Sequence, residues 1–160
     1  MIILGIDPGF SATGFSILQK HKNQIMMLDH GFLSLASSKT LQVRIGIFHA
    51  TFTEKIKQYQ VTHIAIETPF LGKNVQSFLK LGYLRGILYL LAEQHNLIMH
   101  EFAPRQVKQT VTGYGAADKE QVAKVLSMLF PHIPKSLKAD VTDAIAISLC
   151  GLWQSENKSL

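Results

Sequence analysis

Cysteine is almost absent: Cys150 is the only one among 160 residues. One thiol cannot close an internal disulfide, so the fold must rest on core packing, and the composition fits a reducing, cytoplasmic setting. Long apolar runs are also missing. No uninterrupted hydrophobic segment approaches the roughly 20 residues of a membrane span. The apolar N-terminus is short and lacks a charged leader, so no signal peptide is expected. Charged residues make up only 17% and hydrophobic ones 47%, which excludes a disordered chain. Acids are the scarcer sign, 11 against 16 basic residues, for a net charge of +5. A basic balance of this kind suits a polyanionic partner. The seven histidines are scattered and no His/Cys spacing suggests zinc. Repeats, low-complexity tracts and linkers are lacking. The length suits a single domain over residues 1–153, followed by a short tail at 154–160.

Glycine, proline and polar clusters divide the chain. Residues 2–7, 13–19 and roughly 24–35 read as strands, separated by the Pro8-Gly9 turn and the polar bend from His21 to Gln24. Leu41, Ile45, Phe48, Phe52 and Ile56 recur at helical spacing over 40–58. A short buried strand at 62–67 ends before Pro69, and a long helix spans 73–95. A strand at 97–102 and helices at 104–111, 119–130 and 140–153 complete the chain. This order predicts an α/β fold, with a mixed sheet that opens with hairpins and continues through crossover helices.

Asp7 is out of place in an otherwise apolar strand, ILGID. An unpaired buried carboxylate costs several kcal/mol, as a rough order. A structural hydrogen bond, a phosphate or a metal would offset that cost. Glu67 ends the apolar strand HIAIE, at the carboxyl end where open α/β sheets build their sites. Asp140 and Asp143, three residues apart in KADVTDAIAISL, share a helix face with Ala144 and Ile147, so that face turns inward. Each acid also has a plain structural reading: Asp7 as a cap of the Pro8-Gly9 turn, Glu67 as a strand-end charge, and Asp140 as a helix N-cap with Asp143 in the first turn. Jointly they are harder to explain in that way. Four carboxylates at one sheet edge repel, and some must stay protonated. A pair of hard divalent cations removes the conflict. Mg²⁺ favours carboxylate oxygens, waters and substrate phosphates. Two such ions activate a water and stabilise the leaving oxygen of a phosphodiester.

GIDPG at 5–9, IAIETPF at 64–70, GKN at 72–74, LGYLRG at 81–86, APRQVKQTVTGYGAADKEQV at 103–122 and DVTDAIAI at 140–147 closely resemble the RuvC family of bacterial Holliday-junction resolvases. The likeness runs from residue 2 to about 150. It implies a ribonuclease H-like three-layer fold, with a five-stranded mixed sheet flanked by helices. The implied activity is a Mg²⁺-dependent endonuclease that resolves four-way DNA junctions by paired symmetric nicks in recombination and repair. By the same resemblance the active acids are Asp7, Glu67, Asp140 and Asp143. They would hold two Mg²⁺ per subunit, with Mn²⁺ able to substitute. Asp7 would contact both ions, Glu67 and one of the last two aspartates would complete one shell, and the other aspartate the second. A branch-migration motor is the expected companion.

Lys73, Lys80, Arg85, Arg105, Lys108, Lys119 and Lys124 follow Glu67, and a solvated face is the ordinary reading of any one of them. Lys108 and Lys119 flank the turn VTGYGAAD, and proteins of the family use lysines here near the scissile phosphate. Arg105 and Lys73 are further candidates for the DNA surface. Phe70, just past Pro69, is expected on a loop. It would either cap the core or, as the resemblance implies, stack on an unpaired base of the junction. The 73–95 helix is apolar almost all round from Phe78 to Leu91, so its outer face needs a cover. Either a second copy packs there, with Gly82 and Gly86 allowing close approach and Leu84 in the interface, or the helices of 104–130 cover it. A two-fold homodimer would present two sites to a two-fold junction. Three other readings compete: a sugar-kinase-type phosphotransferase, for which 160 residues leave no second lobe; a smaller resolvase-like RNA-processing nuclease, which shares the opening motif but is not expected to carry GYGAADK; and a junction-binding protein that does not cut.

Overall fold

The computed structural model describes residues 1–22, 24–69, 75–134 and 136–156, with side chains as far as Gln154 in the last helix. Ten elements follow one another: β1 (Ile2–Asp7), β2 (Ala12–His21), β3 (Gln24–Ser34), α1 (Leu41–Tyr59), β4 (His63–Glu67), α2 (Val75–Gln94), β5 (Ile98–Phe102), α3 (Pro104–Thr112), α4 (Lys119–Leu129) and α5 (Ala139–Glu156). The five strands form one sheet in the order β3-β2-β1-β4-β5. β2 pairs antiparallel with β1 and β3, while β4 pairs parallel with β1 and β5. The hairpins-then-crossovers order is thus the observed one. β2 is longer than its apolar pattern suggested because it pairs along its length with β3, with a shift in register at Ile17/Leu18. α5 continues through Glu156, so its last turn reaches into the stretch expected as a tail.

β1 is central and buried on both faces, as a near-continuous apolar run requires. Its alternation sorts side chains between two cores. Leu4 and Ile6 face α1 and α2, joining Phe48, Phe52, Ile64, Ile66, Leu84 and Leu88. Ile3 faces the other way, joining Ala65, Phe102, Val107, Val122, Ile145 and Leu149 under α3, α4 and α5. The same alternation turns Asp7 and Glu67 towards the α5 side. Because Ile6 is opposite Ile66 in the parallel register, the two acids emerge next to each other at the carboxyl ends of β1 and β4.

α5 packs directly on β1 and β2 because glycines line its path. A Cβ on Gly5 would lie 2.1 Å from Ser148 Oγ and 2.5 Å from the Ala144 carbonyl oxygen. The helix also meets β2 through a buried polar group: Ser16 Oγ donates to the Ala144 carbonyl at 3.0 Å and lies 2.5 Å from Ser148 Oγ. Buried hydroxyls of this kind must be paired, and here they tie strand to helix.

The face of α2 opposite the core bears an apolar stripe. Val75 is 60% and Leu79 55% exposed, with Tyr83 and Leu90 also open to solvent. Among the described residues, nothing beyond the helix's own nearby backbone lies within 4 Å of where a Cβ on Gly82 or Gly86 would stand. α3 and α4 pack on the opposite side of the sheet, so they do not cover this stripe. Leu84 is fully buried against the sheet and so belongs to the core, not to an outer face. The apolar surround of the helix hid which side faces in. Among the described residues, no helix is long and apolar enough to cross a membrane.

Candidate active site

Asp7 ends β1 and Glu67 ends β4. Asp140 and Asp143 occupy the first turns of α5, which begins at Ala139, so Asp140 lies inside the helix and not at its cap. What brings α5 to this end of the sheet is Gly14, opposite Asp7 on β2. A Cβ there would fall 1.9 Å from the Asp140 carbonyl oxygen and 2.2 Å from its carbon. Backbone cannot swing aside as a flexible side chain can. Gly14→Ala is therefore expected to displace the start of α5 and the Asp140 carboxylate. Stability should fall by about 1–3 kcal/mol. The diagnostic effect is a loss of catalysis per folded molecule of about tenfold or more, read by single-turnover cleavage at a temperature where circular dichroism shows a folded chain.

The Pro8-Gly9 turn is closed by Thr13, not by Asp7. The Thr13 hydroxyl accepts from the Gly9 N–H at 3.2 Å and donates to the Gly9 carbonyl at 2.9 Å. Asp7 is free of that structural duty, and its carboxyl is pushed up from 3.8 to about 7. Burial is the largest cause, followed by the negative charges of Asp143, Glu67 and Asp140, with Lys119 opposing them. Glu67 is raised as well, by burial and then by Asp143, against the pull of Lys108 and Lys119. The four acids are thus brought together as one electrostatically coupled group.

Two lysines answer that charge. α3 opens with Pro104 at its first turn and ends at Gly113, whose φ of 78° suits a residue without a side chain. The chain then enters α4 through a capping box in which Asp118 accepts from the Gln121 N–H and the Gln121 side chain accepts from the Asp118 N–H. This turn sets Lys119 at the head of α4, where its ammonium lies 3.3 Å from Asp143 Oδ2. Asp143 in turn raises the Lys119 pKa. Glu67, Lys108, Lys119 and Asp143 line a cleft of about 230 Å³ with Pro104, Val107, Val122 and Ala146. A larger groove of about 320 Å³, between α4 and α5, is mostly apolar and contains none of the four acids.

Other expected DNA contacts divide. Arg105 is exposed on α3 and lies against Gly115, outside the cleft lining. Lys80 and Lys124 are exposed. Phe70 and Lys73 lie outside the described residues. Arg85 does not belong to a solvated face at all: it is 8% exposed, under α2, and hydrogen-bonded at the end of β4. Thr13 and Gly14 were missed as site-building residues. An isolated glycine inside a strand pattern was the available signal, since it marks a close backbone approach.

The family profile described as "Crossover junction endodeoxyribonuclease RuvC" matches residues 3–151. The chain belongs to the RuvC family. A RuvC from Pelodictyon phaeoclathratiforme is 41% identical over 158 residues, spanning 99% of this chain and 83% of that protein. The RuvC of Chlorobium chlorochromatii is 42% identical over 160 residues, spanning 99% of this chain and 82% of that one. Among solved structures, T. thermophilus RuvC in complex with Holliday junction substrate has a TM-score of 0.92 at 24% identity, covering 99% of this chain and 96% of that chain. The ribonuclease H-like fold of RuvC is therefore the fold of this chain.

Proposed function

We propose that this RuvC-family chain is a metal-dependent, structure-selective endodeoxyribonuclease that resolves four-way DNA junctions by paired symmetric nicks. The observation that carries the reading is the coupled group of Asp7, Glu67, Asp140 and Asp143 beside a cleft lined by two lysines. An all-oxygen donor set with its charges in conflict suits a hard divalent cation. Among the described residues no three of these side chains form a ready-made cage. We assign the four acids to two Mg²⁺ per subunit, with Mn²⁺ substituting. When bound, such ions supply Lewis-acid stabilisation and an activated water. The protein's own part is to hold the carboxylates in one patch and to steer the scissile phosphate against Lys108 and Lys119. Arg105, Phe70 and Lys73 extend the proposed DNA surface. The nuclease unit is read as running from residue 1 through the end of α5 at Glu156. We extend the proposal to a branch-migration motor as partner and to a cytoplasmic site of action, both as expectations for the family.

The test is nicking of a synthetic mobile four-way junction in Mg²⁺, beside a linear duplex of the same sequence. Symmetric cuts in the junction with the duplex largely intact are expected. Equal cutting of both sinks the reading.

We further infer a homodimer through the outer face of α2, where Val75, Leu79, Tyr83 and Leu90 flank Gly82 and Gly86. Leu79→Asp should give a folded monomer in sedimentation, because the side chain is solvent-facing within one copy. Leu84→Asp should instead unfold the chain, since it would bury an unpaired charge in the core at a cost of several kcal/mol, roughly. A folded Leu79→Asp variant that still sediments as a dimer moves the interface elsewhere.

A further inference from the structure

We propose that Arg85 is a positioning residue that fixes the end of β4, and through it the Glu67 carboxylate, relative to the other acids. This rests on the reading of Glu67 as an active carboxylate. The need for such a residue is written into the backbone. The Thr68 N–H donates to the Phe102 carbonyl at 2.8 Å, towards β5. In a trans peptide, the Glu67 carbonyl must then point the other way, towards β1. β1 ends at Asp7, and the next residue is Pro8, which has no N–H to offer. The strand that carries Asp7 cannot complete the strand that carries Glu67. Without a donor this part-buried carbonyl would bear some of the roughly 1–3 kcal/mol cost of an unmade buried hydrogen bond, and the end of β4 would be loosely held.

Arg85 supplies the donor from α2. Its Nη1 donates to the Glu67 carbonyl at 2.5 Å. Its Nη2 pairs with Glu101 Oε2 on β5 and reaches Tyr89 Oη at 3.3 Å. Tyr89 Oη also donates to Glu101 Oε1, closing a small network. Glu101 lies opposite Ile66, so the guanidinium braces the last residues of β4 and β5 together. Only a planar, multi-donor group can serve these partners at once; a lysine is a point charge with no fork.

The test uses the full chain. Arg85→Lys should cleave junctions about tenfold or more slowly per folded molecule, with junction affinity within about twofold of the parent, because a small misplacement of a reacting group is costly while binding is spread over many contacts. The Thr68 amide should exchange with solvent faster, since its hydrogen bond then sits in a loosened strand end. Leu88→Ala, one turn further on α2 and fully buried, is the control for plain destabilisation. It should lower the melting temperature yet keep the cleavage rate per folded molecule. If Arg85→Lys does not fold, Glu101→Gln frees the guanidinium from its ion pair and should give a smaller loss of the same kind, again with faster Thr68 exchange. A folded variant with parental cleavage and parental Thr68 exchange overturns the proposal, as does an equal loss of cleavage in Leu88→Ala. Glu67→Gln separates the two layers of the argument. If it cleaves at the parental rate, the reading of the site itself fails. If it is inactive while Arg85→Lys is fully active, only the role of Arg85 fails.

Discussion

Changing Asp7, Glu67, Asp140 or Asp143 to the matching amide is expected to abolish junction cleavage while sparing junction binding. The amide keeps the shape of the side chain and removes the charge that would hold a cation. The loss should be about 10³-fold or more, since roughly 4 kcal/mol of transition-state stabilisation corresponds to a factor of that size. Asp7 should be the most sensitive, because burial and the negative charges of Asp143, Glu67 and Asp140 all act on it. On the proposed reading, binding rests on lysines and other groups that these changes leave in place. In metal-free buffer it should even tighten, because a negative charge near a phosphate is gone. Single-turnover cleavage in Mg²⁺ and gel-shift binding without metal read the two effects separately. A folded Asp7→Asn variant that nicks at the parental rate would show that the acids do something else.

Much of this was visible in the sequence, for physical reasons that differ between elements. β1 and β4 announced themselves because buried parallel strands are apolar on both faces, so a single acid at the end of each stands out. Asp140 and Asp143 were visible through helical spacing, which needs no knowledge of the partner surface. The turn between α3 and α4 was marked by the glycines of VTGYGAAD, whereas the Asp118 capping box emerged only in the structure. Contacts that depend on which side of an element faces inward were not visible. α2 is apolar all round, so Leu84 was read into the interface, and only the packed sheet shows that it belongs to the core while Leu79 faces solvent. Arg85 looked like one more surface cation, because nothing local says that Pro8, far away in sequence, leaves the Glu67 carbonyl without a strand donor. Gly14 was passed over for the same reason: its role is set by a backbone more than a hundred residues later, at Asp140.

Asp7→Asn should make the metal-free protein more stable at pH 8, not less. The native Asp7 carboxyl titrates near 7, against 3.8 for an ordinary aspartate. A group whose folded pKa is raised binds its proton more tightly in the native state. Its contribution to stability is complete below about pH 3.8 and is lost as pH rises through about 7. At pH 8 the parent therefore holds a charge the fold disfavours, by up to about 4 kcal/mol for a difference of this size. Glu67, raised in the same direction, adds to the same trend. Asparagine carries no charge at any pH, so the variant should escape the penalty at pH 8, and its advantage should shrink towards pH 5. Divalent cation should reverse the order. Mg²⁺ or Mn²⁺ bound only by the native site stabilises by mass action, by about 2.7 kcal/mol at 100 times the dissociation constant. The parent should gain this and the variant much less. Melting temperatures at pH 5 and pH 8, each with chelator and with Mn²⁺, give the comparison. If Asp7→Asn is instead strongly destabilised in chelator at pH 8, then the carboxylate serves the fold. The Thr13 hydroxyl would not then be the sole fastening of the Pro8-Gly9 turn.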